Sequence, residues 1–275
     1  MKYNSKTPGL LMIMFICVTS LSTYRCYKKQ DNGNRALFIY ADQTTRQACE
    51  ELSRSFAQTY KYKLFIEYEK SAALTSQLIS QGNGDLALLL DPYNYILEDK
   101  NHRQAVVAKA SIAIVVDKKN PQNIKELVDL AIPEVSIGAC DFLYSTSGYL
   151  WAYTLKKAGL LDKVQPNIVL VTKNDLIAAR EILKGGIQAA LIWRPVAFSF
   201  GDKLKIIDLP KNQSPQKGVD VITTASFGQS DLGEIRLMVS ILKYSQSPEA
   251  AHEFFRFLQK TENQVIWEKH GFSVD

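Results

Sequence analysis

Short apolar runs alternate with stretches of helical periodicity along most of this 275-residue chain, and that rhythm restricts the fold more than any single motif does. Residues 36–41 (ALFIYA) read as a strand, and residues 45–60 as a helix with Ala48, Cys49, Leu52 and Phe56 on one face. Residues 64–68 alternate as a second strand. A helix from Ser71 carries Leu74, Leu78 and Ile79 and ends at Gly82 and Gly84. Residues 85–90 (DLALLL) form a continuous apolar run, as expected of a strand covered on both faces. A long β-prone stretch, 105–116, precedes Lys118-Lys119-Asn120-Pro121, and the rhythm then restarts. Strands are predicted at 135–139, 168–172, 189–193 and 204–209, with helices over 148–158 and 175–184 between them. Residues 219–225 are again β-prone. Helices are predicted over 233–245 and 248–260, with a helical turn before Gly271-Phe272.

Alternating strands and helices imply an α/β fold of parallel sheets with right-handed crossovers. Two β stretches, near 113–121 and 218–226, divide the alternation into an outer and an inner set. The expected architecture is two lobes, each a mostly parallel sheet flanked by helices, joined by a hinge that the chain crosses twice. Lobe I is discontinuous, residues 36–115 and 223–275, and lobe II is residues 116–222. The cleft between such lobes is the expected ligand site.

Residues 1–25 have the pattern of an export signal. Lys2 and Lys6 precede an apolar run from Leu10 to Val18, and Thr19-Ser20-Leu21-Ser22 supplies small residues for cleavage. The strictly apolar run is too short to span a bilayer. Residues 26–35 read as a polar linker, and Cys26 stands where a lipidated cysteine would stand, although Thr23-Tyr24-Arg25 is a poor lipobox. A free periplasmic form and a form lipid-anchored on the outer face of the membrane therefore both stay open.

The net charge of +5 owes three units to Lys2, Lys6 and Arg25, so the body carries about +2, without the clustered basic face that nucleic acid requires. Outside the leader lie Cys26, Cys49 and Cys140, an odd number without CxxC spacing, which is neither a disulfide framework nor a zinc site. Cys49 and Cys140 read as small buried hydrophobes. Only three histidines occur, His102, His252 and His270, and no GxSxG elbow, HExxH helix or P-loop is present, so no enzyme is expected. Asp85 and Asp91 bracket a buried strand and are expected to cap it. The effector domain of a transcription regulator would need a DNA-binding module, and residues 1–35 are too short and apolar to be one.

Polar turns recur where a strand hands over to a helix: Asp42-Gln43-Thr44-Thr45, Lys70-Ser71, Ser145-Thr146-Ser147-Gly148 and Lys173-Asn174-Asp175. In an open α/β sheet these turns sit at the carboxyl ends of the strands, where ligands bind. A helix N-terminus offers unpaired N–H groups and partial positive charge, and several facing one cleft would hold an anion. Each such residue is also an ordinary N-cap, so the set counts and no single member does.

Taken in order, residues 37–56 (LFIYADQTTRQACEELSRSF), 64–90, 112–121 (IAIVVDKKNP), 147–162 (SGYLWAYTLKKAGLLD) and 254–272 (FFRFLQKTENQVIWEKHGF) resemble the periplasmic molybdate-binding proteins. These belong to the type II solute-binding fold. The resemblance implies the binding component of a bacterial ABC importer, a monomer without cofactor that captures a tetrahedral oxyanion and works with a permease. Molybdate or tungstate comes first; sulfate, phosphate or an organic anion is the alternative. It further implies that the two binding hydroxyls fall on Thr44 and Ser71. The small residue of the third loop falls on Ser147, the apolar backbone donor on Leu176, and the pocket tyrosine on Trp193. No residue is expected to ligate a cation. The chain departs from the family at Thr44, Trp193 and Thr146-Ser147, and above all at Asp42, a carboxylate where small residues are usual. It would repel a dianion unless it points away. Lys70 and Arg194 flank the pocket positions and would offset that charge.

Mass spectrometry of the protein from its native host is expected to find a mature N-terminus within residues 23–27; an intact Met1 on a cytosolic protein would refute export.

Overall fold

The computed structural model describes residues 36–97, 103–142, 145–224 and 228–274. The expected leader and linker, Cys26 and His102 lie outside the described residues. In chain order the strands are β1 (Ala36–Asp42), β2 (Lys63–Glu69), β3 (Leu86–Leu90), β4 (Arg103–Ala110), β5 (Ile112–Asp117), β6 (Ile137–Cys140), β7 (Ile168–Thr172), β8 (Ala189–Trp193), β9 (Leu204–Asp208), β10 (Val221–Thr224), β11 (Gly228–Asp231) and β12 (Ile235–Ile241). The helices are α1 (Arg46–Tyr60), α2 (Ser71–Gln81), α3 (Thr146–Lys157), α4 (Leu161–Val164), α5 (Asp175–Lys184), α6 (Arg194–Phe198), α7 (Pro248–Leu258) and α8 (Thr261–Lys269).

Two five-stranded sheets carry the fold, ordered β2-β1-β3-β12-β4 and β7-β6-β8-β5-β9. In each, three strands pair in parallel, and one strand inserted beside them runs antiparallel to both its neighbours. The α/β class and mostly parallel sheets expected from the sequence are thus found. The central strands β3 (LALLL) and β8 (AALIW) are buried at every residue because helices cover both faces.

The inserted strands are the chain's two crossings. β4 and β5 are separated by Ser111 alone yet lie in different sheets, so the long β-prone stretch of the sequence is two strands. β5 leaves the first sheet behind and slots between β8 and β9. After β9 the chain passes through the hairpin β10–β11 and returns as β12, which slots between β3 and β4. The helix predicted over 233–245 is therefore wrong. Ile235, Met238, Val239 and Leu242 fit a helical spacing, while Ile235, Leu237, Val239 and Ile241 fit a strand equally well. Pairing on both edges decides for the strand, a non-local interaction that periodicity does not contain.

The last two helices close over the first sheet. Phe56 of α1 is fully buried, stacked on Tyr60 and Tyr62 with ring centroids 4.6 and 5.7 Å away, and meets Phe254 and Phe257 of α7 edge-on at 4.9 and 5.2 Å. Gly271 lies at φ +86, and a Cβ there would approach Phe198 of α6 to 2.7 Å, so the terminal turn packs against the second sheet's helix. No helix among the described residues is long and apolar enough to cross a membrane.

Replacing Phe56 with Ala is expected to cost about 3–5 kcal/mol of stability, since the aromatic cluster cannot collapse into the space left. Urea unfolding of the two proteins measures it.

Candidate functional site

Four helix starts converge where the two sheets present their carboxyl edges to each other. On the first sheet, β1 ends in Asp42, a 3-10 turn (Gln43–Thr45) follows, and α1 begins; beside it β2 runs through Glu69 and Lys70 into α2. Asp42 is buried, 5 % exposed, and its carboxylate faces these starts. Its Oδ1 accepts from the Thr44 amide at 2.9 Å and from Thr44 Oγ1 at 2.7 Å. Its Oδ2 accepts from the Ser71 amide at 2.8 Å and from Ser71 Oγ. The Ser71 hydroxyl in turn accepts from the Leu90 amide at 2.9 Å, which joins α2 to the end of β3. One side chain thus satisfies the start of two elements, a role that neutral N-caps usually share out.

The second sheet repeats the scheme. Ser145 caps α3, accepting from the Gly148 amide and lying 2.7 Å from Ser147 Oγ. Ser147 is fully buried and donates to Asp175 Oδ2 at 3.0 Å, while Asp175 Oδ1 accepts from the Trp193 amide at 3.3 Å. Asn174 caps α5 by accepting from the Leu176 amide at 2.9 Å. Gly148 allows α3 to start this close to β6, since a Cβ there would lie 2.3 Å from the Asp141 carbonyl. Burial pushes the Asp175 carboxyl above the ordinary aspartate range, and the Ser147 and Trp193 hydrogen bonds pull it part of the way back.

Contacts across the cleft hold these groups opposite one another. Lys70 Nζ donates to the Lys173 carbonyl, the Tyr93 and Thr146 side chains share a hydrogen bond, and Gln47 Nε2 donates to the Ser199 carbonyl at 3.1 Å. Tyr93 holds its phenolic proton above the usual range, chiefly through burial and with help from the negative charge of Asp42. The lysine beside Ser71 therefore places an ammonium group between the two sheets.

All five positions singled out in the sequence meet internal acceptors. Thr44 and Ser71 point at Asp42, Ser147 and the Trp193 amide at Asp175, and the Leu176 amide at Asn174. The Trp193 side chain is buried, 4 % exposed. The Asp42 carboxylate stays with the first lobe, held between Thr44 and Ser71. Arg194 turns away to the hinge, where Nε donates to Asp208 at 2.7 Å, Nη1 to the Gly271 carbonyl at 3.1 Å, and its backbone amide to the Ser111 carbonyl at 2.8 Å. The sequence reading missed Tyr93, although it follows β3 at its carboxyl end, the place where ligands bind in such sheets.

The remaining titratable groups are structural. Asp85 accepts from the Phe38, Gln246 and Ser247 amides and from Ser245 Oγ, and Asp91 holds Arg236 through both oxygens. Burial pushes the thiols of Cys49 and Cys140 up to about 12, so neither is a nucleophile near neutral pH. His270 pairs with Glu51 at 2.9 Å on the outer surface. No cluster of three or more His, Cys, Asp or Glu residues suited to a metal ion occurs among the described residues.

Two mixed sheets exchanging a strand at a hinge, with helix starts lining the cleft between them, define a type II solute-binding fold. Residues 37–273 match the family described as bacterial extracellular solute-binding protein, and the chain belongs to it. Among curated proteins it is similar to YvgL of Bacillus subtilis (strain 168), named for an ABC transporter substrate-binding lipoprotein, with 24 % identity over 248 residues, 87 % of this chain and 86 % of the relative. Among solved structures, the Azotobacter vinelandii periplasmic molybdate-binding protein superposes with a TM-score of 0.68 at 15 % identity, covering 87 % of this chain and 99 % of that one. A Clostridium difficile substrate binding domain assigned to a molybdenum ABC transporter gives 0.67 at 18 %, with the same coverage. The resemblance to molybdate-binding proteins thus holds at the level of fold.

Because the folded state raises the Asp175 pKa, it holds that proton more tightly than the unfolded chain does, and this contribution to stability falls as pH rises from 3.8 through the folded-state value. Asp175→Asn has no proton to lose. Urea unfolding across pH should show the variant's stability improving relative to the parent as pH rises through that window.

Proposed function

We propose that this extracellular solute-binding protein captures a small oxyanion, molybdate or tungstate in first place, and delivers it to the permease of an ABC importer. One observation carries the reading: the Asp42 carboxylate is itself an anion, received by two hydroxyls and two backbone amides from facing element starts. Two oxygens about as far apart as those of an oxyanion already rest on donors that point inward. Lys70 supports the reading by setting a positive charge at the same opening, and the similar structures named for a molybdenum ABC transporter and for molybdate binding point the same way.

In this reading the lobes are the two sheets with their helices, hinged at Ser111 and through the segment between β9 and β12. Thr44 and Ser71 bind from one lobe; Ser147, the Leu176 amide and Trp193 frame the ligand from the other. The protein is exported and acts as a monomer without cofactor, either free or anchored through Cys26. In this reading it performs no chemistry on the solute: Asp42 and Asp175 are held by hydrogen bonds, and no activated nucleophile stands beside them among the described residues.

A thermal-shift panel of molybdate, tungstate, sulfate, phosphate and chromate tests it. A ligand that binds only the native state adds about 2.7 kcal/mol at a hundredfold excess over its Kd, so the cognate anion raises the melting temperature. Thr44→Val and Ser71→Ala are expected to weaken its binding by about tenfold to a hundredfold each. A panel in which no anion shifts the melt refutes the oxyanion reading, and sulfate, phosphate or an organic acid acting alone would replace molybdate as the ligand.

A further inference from the structure

We propose that Asp42 is a tethered competitor for the oxyanion: it occupies the first lobe's donors in the empty protein and must leave them for the solute to bind. The inference rests on the oxyanion reading and deepens it. A carboxylate offers about four acceptor positions, two on each oxygen, and here all four are taken. Thr44 supplies two donors to Oδ1, and Ser71 supplies two to Oδ2.

The hydroxyls are equally committed. Thr44 and Ser71 each own a single O–H proton, and both protons point at Asp42; the remaining capacity of Ser71 Oγ accepts from Leu90. The carboxylate therefore has no position left for a protonated solute to donate into, and the hydroxyls have none left to donate to a deprotonated one. A dianion that reached these donors with Asp42 in place would also lie within hydrogen-bonding distance of a like charge that is almost fully buried. Exchange of one anion for the other satisfies both constraints.

Asp42 ends β1 and holds both starts through its one carboxylate, so its departure frees all four donors at once. Being on the same chain, it competes at a fixed effective concentration that no dilution lowers. This raises the threshold for capture. A weakly charged or neutral solute cannot dislodge a carboxylate from four donors, whereas a dianion with more oxygens can. The lobe II carboxylate differs: Asp175 is buried behind Ser147 and the Trp193 amide and serves as a fixed support.

Calorimetric titration of sodium molybdate, tungstate, sulfate and phosphate into the purified protein, Asp42→Asn, Asp42→Ala and Glu69→Gln tests the proposal, with melting temperatures recorded without anion. Asparagine keeps the shape of the side chain but has one acceptor oxygen, so it leaves part of the donor set open; it also guards against a misfolded alanine variant. Both Asp42 variants are expected to melt lower when empty, yet to bind the best anion about tenfold to a hundredfold tighter. Glu69→Gln removes a neighbouring exposed charge and should stay within about twofold of the parent. Binding by an Asp42 variant where the parent shows none also supports the proposal. If the parent binds an anion and Asp42→Asn binds it no tighter, Asp42 is only a cap and the inference falls while the oxyanion reading stands. If no anion binds any of the proteins, the oxyanion reading falls and takes the inference with it.

Discussion

A helix that starts at the edge of a sheet begins with amide groups that no residue of its own turn can satisfy. In this protein Ser145 and Asn174 meet that requirement beside the second sheet, and a carboxylate meets it beside the first. Asp42 closes the starts beside β1 and β2, and Asp175 ties α3 to the end of β8. Asp85 performs the same service at the opposite edge, gathering the amides that lead into α7. Placing charge against the positive end of a helix is favourable, and burying it there makes each hydrogen bond stronger and its loss more damaging. Thr44, Ser71 and Ser147 thus already have internal acceptors, and under the proposed reading a solute must improve on that arrangement.

That arrangement explains why the site was only partly legible in the sequence. Thr44, Ser71, Ser147 and Leu176 stand at element starts because β-prone runs end there and helical periodicity begins, and both signals are local. The direction of the Asp42 side chain is not local. It depends on β2 lying in parallel register beside β1, with Asp42 opposite Glu69, so that the start of α2 arrives within reach. The same sequence position reads as an intruder in a site of small residues until that neighbour is in place. Arg194 illustrates the converse: adjacent to Trp193 in sequence, it follows the turn into α6 and reaches the hinge instead of the cleft.

The fold shows a similar divide. Strands enclosed on both faces, β3 and β8, announce themselves as unbroken apolar runs, and α1 shows its buried face plainly. β12 does not, because Arg236 and Ser240 interrupt its apolar run. Its apolar residues satisfy a helix as well, and only its partners β3 and β4, distant in sequence, settle the matter. The break at Ser111 is hidden for the same reason: two consecutive strands of similar composition belong to different sheets.

The exchange of strands at the hinge has a consequence for how the chain acquires its structure. The first sheet opens with residue 36 but lacks its inserted member until residues 235–241 are available, almost the whole chain later. Until then β3 and β4 have no partner between them, and their apolar faces stay unsealed. The second sheet, by contrast, has every strand it needs once residue 208 has been made. Assembly from the first residue to the last is thus ruled out by topology: the middle of the polypeptide can complete its sheet first, and the beginning must wait for the end. An unpaired edge of this kind is prone to aggregation while it lasts, and it makes residues 235–241 the part of the chain on which completion of the first sheet depends.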